Sequence, residues 1–392
     1  MLLLISGLAM AAEPAPPPII NGGDATEDDY GMAGGMLMDA TVTLDYFGTF
    51  ELRAFICSST LIAPDVVLLA AHCVDEYALT YGIGTVDEQE IRWTRQADLS
   101  AWDGSSTPDW PADAVAAWDW VVPDEWDLFS LQTGLAKNYD VALLFLEEPI
   151  TDAPLSYLIT AEEASQIEVG LDVTVVGWGQ QTATSTFEPI PAGTYGYKQM
   201  GLSFINEVSD YELQIGGVEE DVRKCHGDSG GPTFLEIETD STVSFRQIGV
   251  TSHAYDETDC FEVGGVDTRV DYYLDWIDAE MRARCDDGTR AWCDVPGILP
   301  PPTGDDTGGT DPGGDDTGGA GTGGTDSGGT DSGGTDAGGT DTGAAGGGSG
   351  GELDGDAKGC GCASTSGGGV PAGVWILGLV GAAVLRRRRA LS

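Results

Sequence analysis

The sequence predicts an all-β domain, and three observations carry that expectation. Apolar runs of strand length recur along residues 19–296, among them 57–63, 66–71, 173–176 and 244–250, and Pro or Gly interrupts them. One stretch, 270–284, reads as a helix that closes the domain. Past Pro296 the composition turns abruptly to Gly, Asp, Thr, Ser and Pro, so the folded part ends there.

In chain order, residues 1–12 form an apolar run ending in Ala9-Met10-Ala11-Ala12, the expected end of a signal peptide, though without a basic start. Residues 13–18 are Glu-Pro-Ala-Pro-Pro-Pro, an expected short propeptide before Ile19-Ile20-Asn21-Gly22-Gly23. The segment 57–73 begins at Cys57, breaks at Pro64, resumes, and delivers His72 on a short turn before Cys73. Trp93, Trp102, Trp110, Trp118, Trp120 and Trp126 follow, either as core and loop packing or as an aromatic rim on a cleft. Asn138-Tyr139-Asp140 then leads into the apolar run 141–144, where a carboxylate is well placed to orient an imidazole. Gly177-Trp178-Gly179 ends the next strand-like run.

Residues 225–232 read Cys-His-Gly-Asp-Ser-Gly-Gly-Pro, a run built to present one hydroxyl beside backbone N–H donors. An ordinary serine hydroxyl attacks carbonyls poorly, so Ser229 needs a base beside it and donors for the developing oxyanion. Gly227 permits a turn that aims its own N–H and that of Ser229 at one point. The base should be one of three histidines, and His72 has the right setting, whereas His226 and His253 read as cleft-lining side chains.

On these residues the chain resembles the trypsin/chymotrypsin-like serine proteases. "LIAPDVVLLAAHC" is similar to that family's histidine segment, and Asn138 to Leu144 to its aspartate segment. Gly177-Trp178-Gly179, the serine run and "GGVDTRV" at 264–270 follow in the family's order, and the resemblance spans roughly 19–284. It implies two six-stranded antiparallel β-barrels with a C-terminal helix, and a catalytic triad of His72, Asp140 and Ser229 with Gly227 and Ser229 as oxyanion donors. It also implies a latch, in which the α-amino group of Ile19, freed by cutting after Pro18, pairs with Asp228. Cys57 with Cys73 and Cys225 with Cys260 resemble family disulfides, while Cys285 and Cys293 could close a small loop; connectivity is not deducible from sequence alone. The primary pocket would have Arg223 at its floor with Lys224 beside it, and walls from Ser252-His253-Ala254 and Gly264-Gly265. An arginine there would favour an acidic P1 side chain, unless it turns away or pairs with a carboxylate and leaves a neutral slot.

Residues 297–359 repeat a degraded Thr-Asp-Ser-Gly-Gly beat and cannot bury enough apolar surface to fold, so a disordered stalk about 40–45 Å from end to end is expected. Calcium-binding repeats are the alternative, but the beat does not match the nonapeptide pattern. Residues 360–392 hold Cys360 and Cys362, a Gly/Ser spacer, the apolar run 370–385 and four arginines. This tail resembles a bacterial sorting signal of the myxobacterial type, cut near the cysteines by a sorting peptidase. The plainer reading is a single-span membrane anchor, with the arginines on the cytoplasmic side.

Six domain cysteines imply an oxidising, extracytoplasmic compartment, secreted or at the cell surface. No Cys-x-x-Cys or clustered Cys/His spacing supports a metal, and no cofactor is expected. Residues 19–297 hold 12 basic and 52 acidic side chains of the chain's 17 and 65, which disfavours nucleic acid as a partner. Protein or peptide substrates are expected instead. The competing class is a non-catalytic surface binding protein on the same fold.

Overall fold

Along Ala33–Leu44 the side chains of Met36, Met38, Ala40, Val42 and Leu44 are buried while those between Ala40 and Leu44 are partly open, the period of two that a half-buried strand requires. The computed structural model describes residues 18–299, apart from 46–47, 81, 183–190, 192, 240–241, 257–259 and 261. The expected signal peptide 1–12, most of the expected propeptide 13–18, the repeats past Leu299 and the tail 360–392 lie outside the described residues. Among the described residues no helix is long and apolar enough to cross a membrane.

The domain is all-β, two closed six-stranded antiparallel barrels followed by one longer helix. A two-residue strand, β1 (Gly23–Asp24), precedes the first barrel. That barrel comprises β2 (Ala33–Leu44), β3 (Gly48–Ala63), β4 (Val66–Leu69), β5 (Gly84–Thr94), β6 (Val115–Val121) and β7 (Ala142–Leu146), closed in the order β2-β3-β4-β7-β6-β5. The second comprises β8 (Asp172–Gly177), β9 (Gln199–Val208), β10 (Glu212–Ile215), β11 (Pro232–Thr239), β12 (Thr242–Ala254) and β13 (Gly265–Arg269). The order β9-β10-β13-β12-β11-β8 closes through a β8–β9 pairing, and β1 adds to the outside of β9.

Each barrel buries its own apolar centre. Met36, Leu61, Val67, Leu143 and Phe145 fill the first, and Val175, Ile205, Leu213, Leu235 and Ile248 the second. A third cluster draws on both, with Ala33, Leu37 and Phe55 from the first barrel packed with Val176, Trp178 and Phe234 of the second. Each large apolar side chain so buried contributes about 1.5–3 kcal/mol relative to exposure, which fixes the barrels to one another.

The expected helix starts later than its sequence pattern. Val270 N donates to Ile248 O at 3.0 Å, which ties it to β12; Val270 caps a 3₁₀ turn, Asp271–Tyr273, that precedes the helix Leu274–Asp286. Leu274, Ile277 and Met281 pack on the first barrel's core. The ordered chain also runs slightly past the compositional break: Leu299 N donates to Asp278 Oδ1 at 2.8 Å, and Arg282 Nη2 to Leu299 O at 2.5 Å. Three disulfides join Cys57 to Cys73, Cys225 to Cys260 and Cys285 to Cys293.

Candidate active site

β4 ends in the 3₁₀ turn Ala71–Cys73, which carries His72 out of the first barrel, while the chain entering β7 carries Asp140. The two side chains meet. His72 Nδ1 lies 2.8 Å from Asp140 Oδ2, and His72 N donates to Asp140 Oδ1 at 3.0 Å. Ser252 Oγ, at the second barrel's β12, donates to Asp140 Oδ2 at 2.6 Å, and Thr268 Oγ1 donates to the Asp140 carbonyl at 2.9 Å. The aspartate is fully buried, the histidine partly open to solvent. Burial works against the His72 imidazolium, but the charge and hydrogen bond of Asp140 outweigh it and raise the His72 pKa above its ordinary value. Asp140 shows the converse: burial pushes it up, yet His72 and the donated bonds hold it below the ordinary carboxylate value.

Ser229 sits half-buried between two glycines in the left-handed region, Gly227 at φ 92° and Gly230 at φ 76°. Both positions exclude a side chain. A Cβ on Gly230 would stand 2.4 Å from Ser58 O, and one on Gly227 would stand 2.7 Å from Tyr195. Ser58 of the first barrel fixes the turn by donating to Gly227 O from its N–H at 3.2 Å and its hydroxyl at 2.9 Å. From below, Gly230 N donates to Thr251 O at 2.8 Å.

Asp228 is wholly buried under this turn. Its carboxylate accepts from Gly179 N at 2.8 Å and Cys225 N at 2.9 Å. Burial nonetheless pushes its pKa up to about 6, against those two bonds and the nearby Lys224 and His226 charges. The Gly-Trp-Gly motif now has a physical reason, because a Cβ on Gly177 would lie 2.1 Å from Asp228 Oδ1 and one on Gly179 2.5 Å from Asp228 N. Ile19 is fully buried in the second barrel's core, while Ile20 packs beside the Cys225–Cys260 disulfide and accepts from Arg223 N at 3.0 Å.

Arg223 is buried, with Nη1 donating to Cys260 O at 2.7 Å, Nη2 to Glu219 O at 3.0 Å, and Nε unpartnered. Burial lowers its pKa against the pull of Glu219, Asp221 and Glu220. Lys224 forms a buried ion pair with Asp267 and donates to Thr233 Oγ1 at 2.8 Å. β12 and β13 bring the expected pocket walls together, since Ala254 pairs with Gly265. His253 is buried rather than cleft-lining in any open sense; its pKa falls to about 4 through burial, with Nε2 3.2 Å from Gly134 O.

Sequence reasoning missed Glu212, because a lone glutamate on a strand carries no motif. It is 1% exposed, and burial pushes its pKa up to about 8 although it accepts from Ala136 N and Asn138 Nδ2. It also missed that Ser252, read as a pocket wall, reaches Asp140.

The profile of the trypsin family matches residues 37–277. Melanization protease 1 of Drosophila melanogaster is 28% identical over 262 residues, which cover 61% of this chain and 62% of that protein. CLIP domain-containing serine protease B10 of Anopheles gambiae is 28% identical over 61% of this chain and 65% of its own length. Trypsin of Saccharopolyspora erythraea is 29% identical over 58% of this chain and 87% of its own. The chain therefore spans less than two thirds of the length of the two insect proteases and most of the bacterial one. With the profile running through both barrels, from β2 into the final helix, the chain belongs to the trypsin family.

Proposed function

We propose that the domain is a serine endopeptidase in which Ser229 attacks the scissile carbonyl, His72 takes and returns the proton, and Asp140 holds the imidazole. The observation that carries this reading is the His72–Asp140 pair at 2.8 Å on the first barrel, reinforced by Ser252 from the second. With Asp140 on Nδ1, the imidazole presents Nε2 as the base. The Gly227 and Ser229 N–H groups would receive the oxyanion, and the left-handed glycines around Ser229 support that turn. A peptide backbone is the substrate class that such a site handles.

The buried Asp228 supports the latch reading. Cutting the Pro18–Ile19 bond would supply an ammonium where Ile19 is already buried, and that charge would favour the Asp228 carboxylate, which burial now disfavours. At the primary pocket, the unpartnered Arg223 Nε supports an acidic P1 side chain. The carbonyl partners of Arg223 and the Lys224–Asp267 pair support a neutral slot. The three disulfides fit export, and the tail 360–392 is read as a surface-retention signal.

Two parallel assays test the catalytic and pocket readings. One sample of purified protein, treated with a serine-directed fluorophosphonate, should be labelled, and a separate untreated sample should cleave a P1-varied peptide library; Ser229→Ala should do neither while keeping its thermal transition. Cleavage by Ser229→Ala at the wild-type rate would reject the mechanism. A gain for Asp or Glu over Ala at P1 keeps the acidic pocket; its absence leaves the neutral slot.

A further inference from the structure

Asp140 arrives on residues 131–141, a connection that belongs to the first barrel yet is fastened to the second. Glu212, at the start of β10, accepts from Ala136 N at 2.6 Å through Oε2 and from Asn138 Nδ2 at 2.9 Å through Oε1. Gly134 N donates to Tyr255 O at 2.7 Å, just past β12. Lys137 Nζ lies over three tyrosine rings, 4.7 Å from Tyr139 and 5.0 Å from both Tyr211 and Tyr272.

Asn138 cannot rotate away from Glu212. Its Oδ1 accepts from Gln132 N at 2.9 Å, and its Nδ2 also donates to Gln132 O at 3.1 Å, so the amide is oriented by the backbone of its own loop. Between Asn138 and Asp140 stands Tyr139 at φ 56°, a left-handed conformation that a residue with a side chain holds only where its surroundings over-determine it. Of the direct partners of Asp140, His72 and Ser252 grip the carboxylate once it is in place, and Thr268 holds the Asp140 carbonyl. None of these bonds reaches the backbone of residues 134–139 ahead of it, where Glu212 acts.

We propose that Glu212 is a positioning residue for Asp140: its carboxyl, supplied by the second barrel, pins Ala136 and Asn138 and thereby the left-handed Tyr139, so that Asp140 meets His72 at hydrogen-bond distance. The catalytic consequence rests on the endopeptidase reading above, whereas the placement of Asp140 does not. The arrangement also makes the first barrel's aspartate dependent on the docking of the second barrel.

The test compares the full-length protein with Glu212→Leu, Glu212→Gln and Asn138→Ala. The first readout is the downfield Nδ1–H proton resonance of His72 in NMR, assigned by its absence from His72→Ala, together with the His72 titration midpoint. In Glu212→Leu the resonance should broaden or move upfield, and the midpoint should fall by about one pH unit as the imidazolium loses its carboxylate. Asn138→Ala, which keeps the Glu212 carboxyl, should fall likewise, and Glu212→Gln, which keeps one acceptor, should lie between. On peptide substrate, kcat in Glu212→Leu should drop roughly 10- to 100-fold with KM within about twofold, as expected when a reacting group is misplaced but the substrate cleft is intact. A folded Glu212→Leu with the wild-type resonance and midpoint would overturn the proposal. So would equal midpoints in the Leu and Gln variants with Asn138→Ala unchanged, because that result assigns the effect to the titrating carboxyl itself and not to its hold on Asn138. Should Glu212→Leu not fold, Asn138→Ala decides by the same criteria. If wild-type protein cleaves no peptide, the endopeptidase reading falls, and the resonance and midpoint still decide the positioning.

Discussion

His72 shows how a single contact sets chemistry. Its imidazolium is penalised by burial but stabilised by the Asp140 carboxylate 2.8 Å away, and the second effect wins. The base is therefore free only at a higher pH than an ordinary histidine would need. The acid limb of kcat/KM should lie above pH 6.5, the ordinary histidine value. Asp140→Asn removes the stabilising charge, so the limb should move to lower pH while kcat falls roughly 10⁴-fold through the wrong tautomer. A pH–rate profile of both proteins checks this, and an unmoved limb in Asp140→Asn would show that Asp140 does not govern His72.

The segment after the final helix shows an element held by one buried pair. Arg290 Nη2 meets Asp65 Oδ1 at 2.6 Å with both side chains essentially inaccessible, and Trp292 N donates to Asp65 Oδ2 at 2.8 Å. Asp65 occupies the turn between β3 and β4, one strand ahead of His72, so the extension braces the strand that delivers the proposed base. The Cys285–Cys293 disulfide and the bonds from Arg290 Nη1 to Met281 O and Pro296 O complete the fold-back. Arg290→Met leaves the Asp65 carboxylate buried without its cation and should cost about 3–5 kcal/mol in urea unfolding. The double variant Asp65→Asn with Arg290→Met should cost less than Arg290→Met alone, because the stranded charge is gone. Equal costs would mean that the pair contributes no charge interaction.

For the whole molecule, neither barrel alone holds the proposed site. The first supplies His72 and Asp140, the second Ser229, Ser252 and Glu212, and the Ala33, Phe55, Trp178 and Phe234 cluster keeps the two halves in register. The strongly acidic domain should repel anionic surfaces, so retention at a cell surface would depend on the tail rather than on the folded surface. Deleting residues 359–392 should move peptidase activity from cells to medium; activity that stays wholly with the cells would reject the tail as the anchor. Replacing Cys360 and Cys362 by Ala should abolish sorting but leave a plain membrane anchor unaffected.

Local sequence determined more of this protein than its modest composition promises. The serine run, the histidine turn between Cys57 and Cys73, and the strand-like stretches that became β8 and β12 are encoded by neighbours, through glycine's access to positive φ and the apolar period of strands. The helix start, by contrast, moved from 270 to Leu274 because Val270 is claimed by Ile248, a partner in another strand. Only the tertiary structure decided that Arg223 gives its terminal nitrogens to main-chain carbonyls, that Lys224 pairs with Asp267, that Ser252 reaches Asp140, and that Glu212 holds Ala136 and Asn138 just ahead of it. The physical reason is range: a turn or a strand is fixed by residues a few positions apart, whereas the partner of a buried charge is whatever the closed barrels bring within 3 Å of it.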